Sequence, residues 1–159
     1  MNDDKNYFIP ATYINSERYY QNKTNVNGIT DIETYNLKKW FLGDENVKFL
    51  IKKGSNTKNL VAVIGPSISE KSYEVQKDFK SKFLKKDKQS KFFFKIRKNK
   101  TYFSLNKYVY YHLKKLGIKN LEIINKDTFD SNNNFFSARR AFHNKENDYG
   151  RNISIIMIK

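Results

Sequence analysis

The sequence predicts an α/β fold, a layered domain with a mixed sheet. Short apolar, β-branched segments alternate along the chain with longer segments whose apolar residues recur at helical spacing. A chain of 159 residues is the usual size of one domain and is long enough to bury one core. No apolar run approaches the roughly 18 residues that a membrane helix needs. We therefore expect one soluble α/β domain.

The first readable elements lie between residues 44 and 103. Asp44 can cap a helix and Gly54 can end it, and Val47, Leu50 and Ile51 share one face between them. The elements that follow from periodicity and from β-branched or aromatic runs are a strand Leu60–Ile64, a helix of about Val75–Lys86, and two strands in Phe92–Ile96 and Thr101–Phe103, joined by a basic turn.

The remaining elements continue the alternation. A third helix has an apolar face and ends at Gly117. Its face is formed by Leu105, Val109, Leu113 and Leu116, and it is followed by a strand Leu121–Ile124, a polar loop Asp127–Asn134 and a last strand Ile153–Ile158. Residues 1–40 show no sustained period and stay unassigned. We therefore divide the chain into a divergent segment, 1–40, and a domain part, 41–159.

The chain is strongly basic, with a net charge of +15. Residues 61–159 hold 22 basic and nine acidic side chains, which is compatible with an electrostatic surface for nucleic acid. The lysines are scattered and not confined to one helix face, and Lys, Asn, Ile, Tyr and Phe are all abundant, as an AT-rich genome would encode. Compositional bias is the favoured explanation, and nucleic-acid binding is kept as the weaker alternative.

Cysteine is absent, which excludes disulfides, thiolate catalysis and zinc sites that use sulfur. Imidazole can come only from His112 and His143, which we interpret as ordinary helix-surface and loop residues. The amino terminus lacks the basic start and apolar centre of a signal peptide. We therefore expect a cytoplasmic protein with no membrane partner and no metal site of its own.

Two stretches carry groups that suit a binding site. Val63–Ser69 is an apolar strand that runs into a Gly-Pro-Ser loop, in which Ser67 and Ser69 are the chemically useful side chains. Phe135–Arg140 places two aromatic rings beside a hydroxyl and paired guanidiniums, a set that suits an anionic or stacked aromatic ligand. Taken alone, the second stretch is interpreted as a surface strand end with solvated arginines.

In this order, the motifs resemble the carboxy-terminal part of the YfiH-like laccase-domain family, whose members are described as multicopper polyphenol oxidases and as zinc-dependent purine nucleoside phosphorylases. The resemblance covers roughly residues 47–159. The motifs that carry it are Ala62–Ile68, Tyr73–Val75, Leu116–Ile118, Asp127-Thr128, Phe135–Arg140 and Tyr149–Arg151.

The resemblance implies a layered α/β fold, incomplete at its amino-terminal side, and phosphorolysis of adenosine, inosine, guanosine and methylthioadenosine, with adenosine deamination in addition. Purine nucleoside and phosphate would be the ligands. The residues that it makes candidates for substrate binding are Ser67, Ser137, Arg139, Arg140 and Arg151.

The chain departs from the family at the metal site, which intact members build from two histidines and a cysteine. No histidine precedes His112, and Ala138 replaces the usual tyrosine of the Phe-Phe-Ser-Tyr-Arg-Arg motif. No catalytic residue is therefore identifiable, and no cofactor is expected for this chain alone, although zinc serves intact members. We expect a truncated or split member that is inactive by itself and needs a complementing amino-terminal chain. The alternative is a non-enzymatic module that binds nucleotide or nucleic acid.

Overall fold

A computed structural model of the chain describes residues 8–10, 47–48, 50–52 and 54–152. These residues form one parallel and one antiparallel sheet with helices packed against them, so the predicted α/β class is confirmed. The strands are β1 Phe8–Pro10, β2 Val61–Ile64, β3 Glu74–Val75, β4 Phe94–Arg97, β5 Lys100–Phe103 and β6 Asn120–Ile123. Three α-helices are described over their whole length, α1 Lys77–Lys86, α2 Leu105–Lys115 and α3 Ala138–His143, and 3₁₀ turns cover Thr57–Asn59, Lys88–Phe93 and Ser131–Asn133.

The parallel sheet has the strand order β1-β2-β6. Phe8 is in register with Val61, and Ile64 is in register with Ile123. Strand β1 comes from the segment to which the sequence patterns assign no element. Because all three strands are parallel, the loops that follow β2 and β6 leave the same edge of the sheet.

The antiparallel sheet has the order β3-β5-β4. Strands β4 and β5 form a hairpin whose two turn residues, Lys98 and Asn99, have φ angles of 47° and 59°, the left-handed values that a two-residue hairpin turn requires. The predicted helix start at about Val75 is wrong, because Val75 pairs with Thr101 in β3 and α1 begins two residues later. The predicted strand Phe92–Ile96 also begins too early, because Phe92 and Phe93 belong to the preceding 3₁₀ turn and β4 begins at Phe94.

An aromatic cluster forms the core between α1 and the antiparallel sheet. Phe103 is fully buried, and its ring centroid lies 5.3 Å from that of Phe79, 5.0 Å from that of Phe83 and 4.7 Å from that of Phe94. Tyr73 joins the cluster at 6.0 Å from Phe103, in an edge-on arrangement that aromatic rings prefer. Phe79 and Phe83, four residues apart, thus lie on one buried face of α1, as their spacing predicts.

Helix α2 packs against β2 and β6 through the apolar face expected from its periodicity. Leu105, Val109 and Leu113 are buried, and Gly117 follows the helix with a φ of 89°. In the earlier helical segment, residues 47, 48 and 50–52 are helical and Val47 is buried, but Ile51 is exposed, so the predicted shared face is wrong at that residue.

Two further expectations concern the last strand and the absence of a membrane helix. The predicted last strand, Ile153–Ile158, lies outside the described residues. Within the described part of the chain, no helix combines the length and the apolar character that crossing a membrane requires.

Replacement of Phe103 by leucine tests the aromatic core. We expect Phe103→Leu to lower the free energy of unfolding by about 1–3 kcal/mol, because volume and five ring contacts are lost at a site that cannot fully collapse. Phe92→Leu is the matched control, since the Phe92 ring is 72% exposed. Its effect should stay within about 0.5 kcal/mol. Urea unfolding of both variants measures the difference, and equal effects would contradict this assignment of the core.

Candidate functional site

The candidate site lies where the loops after β2 and β6 leave the parallel sheet. The Ser67 amide donates to the Lys126 carbonyl at 3.2 Å, and the Thr128 amide donates to the Ser67 carbonyl at 3.1 Å. These two bonds form a parallel bridge between Ser67 and Asp127, beyond the last paired residues of the strands. The carboxyl-terminal edge of a parallel sheet is the usual place for a ligand site in α/β proteins.

The Asp127 carboxylate connects the two loops. Its Oδ1 accepts from the amides of Ser69 and Phe129, at 3.0 and 2.9 Å. Its Oδ2 accepts from the hydroxyls of Ser69 and Ser72, at 2.5 and 2.7 Å. One side chain of the β6 loop therefore holds a full turn of the β2 loop.

The same contacts set the protonation state of Asp127. Partial burial pushes the pKa of the carboxyl upward, but the four hydrogen bonds, led by that of the Ser69 hydroxyl, outweigh burial and hold the pKa below its usual value. The carboxylate is consequently ionised at neutral pH and is a weak base. We interpret Asp127 as a group that fixes the two loops in place.

Sequence reasoning missed Asp127 and Ser72 as members of the site. Asp127 entered only as part of a motif and as the start of a polar loop, and Ser72 was not singled out. The sequence signal that could have identified Ser72 is its spacing of three residues from Ser69, which is typical of two hydroxyls in one turn. In the structure the Ser72 amide donates to the Ser69 carbonyl at 3.0 Å. Only the parallel pairing of the loops brings a carboxylate to both hydroxyls.

Arg140 holds the β6 loop against α3. Its Nη1 donates to the carbonyls of Thr128 and Phe129 at 2.9 and 3.1 Å, and its Nη2 donates to the carbonyl of Phe135 at 2.5 Å. A planar guanidinium with several fixed donors is suited to such a set of acceptors. Both terminal nitrogens of Arg140, a predicted binding residue, thus donate hydrogen bonds to the protein's own backbone.

Arg139 makes the corresponding connection to the antiparallel sheet. Its Nη1 donates to the Glu74 carbonyl at 2.9 Å, and its Cζ lies 5.4 Å from the centroid of the Tyr73 ring, within the range of a cation–π contact. The expectation of solvated arginines at a strand end is therefore wrong. Both arginines are half-buried on the first turn of α3 and bond to backbone carbonyls.

Ser137 is the N-cap of α3. Its buried hydroxyl accepts from the Arg140 amide at 3.3 Å, as capping serines do at helix starts. Ser67 reaches the same assembly through Thr128, which lies between the Ser67 carbonyl and Arg140. The structure thus brings four predicted binding residues together: Ser67, Ser137, Arg139 and Arg140.

Arg151, the fifth predicted binding residue, lies on the turn that follows α3. Its Cζ is 3.9 Å from the centroid of the Tyr149 ring, and its Nη1 donates to the Tyr149 carbonyl. Asp148 is 3.8 Å away, in a contact that solvent screens. The Arg151 side chain is 44% exposed, which makes it the candidate arginine most open to a ligand.

A second carboxylate anchors the β2 loop to the antiparallel sheet. Glu70 contacts Lys95 at 3.0 Å, Arg97 at 2.5 Å and Lys107 at 3.8 Å. Burial pushes the pKa of Glu70 upward, but the hydrogen bond and charge of Lys95, together with Lys107 and Arg97, hold the pKa below its usual value. One negative charge among three positive ones leaves this side of the loop basic.

The described residues do not fit the zinc site of the family that the sequence resembles. The full chain contains no cysteine and two histidines. His112 packs among tyrosines on α2, and the ring of His143 lies edge-on to Phe129 at 5.5 Å. Among the residues that the structure describes, no three His, Cys, Asp or Glu side chains are grouped to hold a metal ion.

Replacement of Asp127 by asparagine tests its role in holding the loops. At pH 7 we expect Asp127→Asn to lower the free energy of unfolding by about 1–3 kcal/mol, because the carboxylate's charge-assisted bonds are lost. The folded-state pKa lies below the unfolded value of about 3.9, so the stability from this group is present above that value and is lost as the pH falls through the folded pKa. Urea unfolding between pH 7 and 3 should therefore show the two proteins converging in acid.

Asp130→Asn is the matched control for that experiment. Asp130 accepts from the Asn132 amide at 3.0 Å at the start of a 3₁₀ turn, and asparagine serves equally well in such a position. We expect this variant to follow the wild type at every pH. A gap between wild type and Asp127→Asn that stays constant with pH would contradict the assignment.

Replacement of Arg140 by lysine tests the guanidinium fork. A single ammonium group cannot reach three carbonyls in the same plane, so Arg140→Lys should lower the free energy of unfolding by about 1–3 kcal/mol. Arg151→Lys is the control, because that side chain is exposed and its contacts are local; we expect a change within about 0.5 kcal/mol. Similar losses in the two variants, measured by urea unfolding at pH 7, would show that Arg140 has no special structural role.

Known proteins are similar to this chain over the part that contains the candidate site. Residues 42–159 match the family described as multi-copper polyphenol oxidoreductase laccase. The chain is 40% identical over 113 residues to a purine nucleoside phosphorylase of Rickettsia conorii, and 38% identical over 112 residues to one of Rickettsia prowazekii. Each alignment covers 69% of this chain and 46% of the relative, so the chain spans about half the length of the curated relatives it matches. The family match includes both loops of the site and α3, and the resemblance expected from the motifs is thereby confirmed: this chain belongs to the multi-copper polyphenol oxidoreductase laccase family, in its YfiH-like form.

Proposed function

We propose that this chain supplies the part of a purine nucleoside phosphorylase that binds purine nucleoside and phosphate. The observation that carries the proposal is the arrangement of α3, whose paired arginines bond to the β6 loop and to β3 at the carboxyl-terminal edge of the parallel sheet. Two relatives named purine nucleoside phosphorylase support the choice of ligand. In this proposal residues 41–159 are the laccase-like part, and the preceding segment adds β1 to its sheet.

Phosphorolysis defines what such a site has to do. A phosphate oxygen attacks C1′ of the ribose, the bond from C1′ to the purine nitrogen breaks, and the purine leaves with the bonding electrons and takes up a proton. The site must therefore attract an anion and hold a flat base beside it. Arg139 and Arg140 contribute positive charge while they fix the loops, and the Arg151 guanidinium is the most exposed of the three and the most accessible to phosphate.

We further propose that the chain does not catalyse this reaction alone. Purine nucleosides such as adenosine, inosine, guanosine and methylthioadenosine are the substrates in this proposal, with deamination of adenosine as a second reaction. A complementing chain would supply the histidine and cysteine ligands for zinc, because this sequence has no cysteine and two histidines. The competing proposal is a binding module without catalysis. It is favoured by the Asp127 carboxylate, which is engaged by four donors and has a lowered pKa.

Ligand binding by the purified chain tests the proposal. We expect inorganic phosphate and adenosine each to raise the Tm, because each binds only the folded chain. Arg151→Ala should reduce the shift caused by phosphate without lowering the Tm of the free protein, since its contacts lie within its own turn. Lys85→Ala, which removes one exposed positive charge from the last turn of α1, is the control for net charge and should leave the phosphate shift unchanged.

An activity assay on the same samples separates the two proposals. The chain with added zinc should release no purine base from adenosine or inosine in the presence of phosphate. Zinc-dependent turnover by the chain alone would contradict the proposed need for a complementing chain. A Tm that responds to neither phosphate nor adenosine would contradict the proposed binding function itself.

A further inference from the structure

An exposed aromatic ring stands beside the candidate site and is backed by a glycine. The Phe136 side chain is 56% exposed, although it follows directly after a residue whose carbonyl Arg140 binds. On its other side the ring lies against Gly150, where a Cβ atom would come within 2.4 Å of Cδ1 and Cε1 and 2.6 Å of Cγ. Only glycine leaves room for the ring in this position.

The backbone beneath the ring is fixed as well. The Phe136 amide donates to Oδ1 of Asn152 at 3.0 Å, and Nδ2 of Asn152 donates to the Phe136 carbonyl at 2.8 Å. One asparagine side chain thus satisfies both backbone groups of Phe136. The segment that contains Gly150 and Arg151 is held to the start of α3 at this point.

The surroundings of the ring suit an aromatic ligand that carries an anion. Arg151 adjoins Gly150 in the chain, and its guanidinium lies over the Tyr149 ring. Ser137, the N-cap of α3, is the next residue after Phe136. The Phe136 ring and the Arg151 guanidinium therefore belong to two short segments that contact each other through Gly150 and Asn152.

We propose that Phe136 is the wall on which the purine base stacks, an inference that rests on the binding function proposed above. Every base has a π-face, and stacking on a fixed aromatic ring is an efficient way to bind one without rearranging the protein. Gly150 holds the Phe136 ring from behind and leaves its outer side open to the base. Arg151 then lies on the side where the ribose and phosphate would be.

The chain offers a close control for this proposal. Phe142 is also exposed, at 62%, but it belongs to α3, and its ring centroid lies 6.3 Å from that of His143. A general affinity of purines for exposed phenylalanine would involve both rings. Stacking at the proposed wall involves Phe136 alone.

Titration of the isotope-labelled chain with adenosine and, separately, with inorganic phosphate, followed by NMR, tests the inference. Phe136→Leu keeps an apolar side chain but removes the ring, and we expect it to weaken adenosine binding at least about fivefold, which corresponds to the lower range measured for a stacked base. Phosphate binding should change less than twofold. Phe142→Leu should leave both affinities unchanged, and Gly150→Ala should weaken adenosine binding as well, because the new methyl group displaces the ring.

The possible results separate this inference from the proposed function. Unchanged adenosine affinity in Phe136→Leu would overturn the stacking wall. Phosphate binding by a wild-type chain that does not bind adenosine would overturn the stacking wall and leave an anion site. A wild-type chain that binds neither ligand would overturn both proposals.

Discussion

The arrangement of the site depends on how the loops after β2 and β6 satisfy their backbone groups. A loop that leaves a sheet loses its ladder partners, and each buried group left without one costs about 1–3 kcal/mol. Asp127, which can only accept, takes two amides and two hydroxyls of these loops. Arg140, which can only donate, takes three carbonyls. One charged side chain therefore serves donors of these loops and the other serves backbone acceptors.

Tyr73 connects this assembly to the core. Its ring packs edge-on against Phe79 and Phe103, and the guanidinium of Arg139 lies over the same ring. The position of α3 is thus set by the aromatic cluster as well as by the loops. Glu70 adds a third connection, from the β2 loop to the β4–β5 hairpin. A site built in this way is held from both sheets, which suits a binding surface that must keep its shape before the ligand arrives.

The charges of the described residues agree with binding better than with catalysis. The carboxylates of the site, Asp127 and Glu70, are each engaged by several donors or cations and have lowered pKa values. Neither is therefore well suited to accept a proton near neutral pH. Near these carboxylates, the Arg151 guanidinium and the Phe136 ring are exposed to solvent and accessible to a ligand. In the proposed function this surface binds the nucleoside and phosphate, and the metal ligands come from a complementing chain, because this sequence has no cysteine and two histidines.

Sequence periodicity predicts the elements whose apolar faces are buried, namely β2, the interior of α1, and α2. These elements agree with their patterns because burial of apolar side chains such as Phe79, Phe83 and Val109 fixes which face of each element points inward. The short strands β1 and β3 are not predicted by any pattern, since two or three residues carry no period and depend on a distant partner for their hydrogen bonds.

The same division holds at the site. The motifs in the amino-acid sequence identified the family and most of the residues around the loops, because residue type and order are local properties. The tertiary structure alone decided which groups those residues contact. It bonded Arg139 and Arg140 to backbone carbonyls, brought Asp127 to Ser69 and Ser72, and placed Phe136 on Gly150. Each of these outcomes depends on which groups meet across the fold, and sequence spacing does not record those distances.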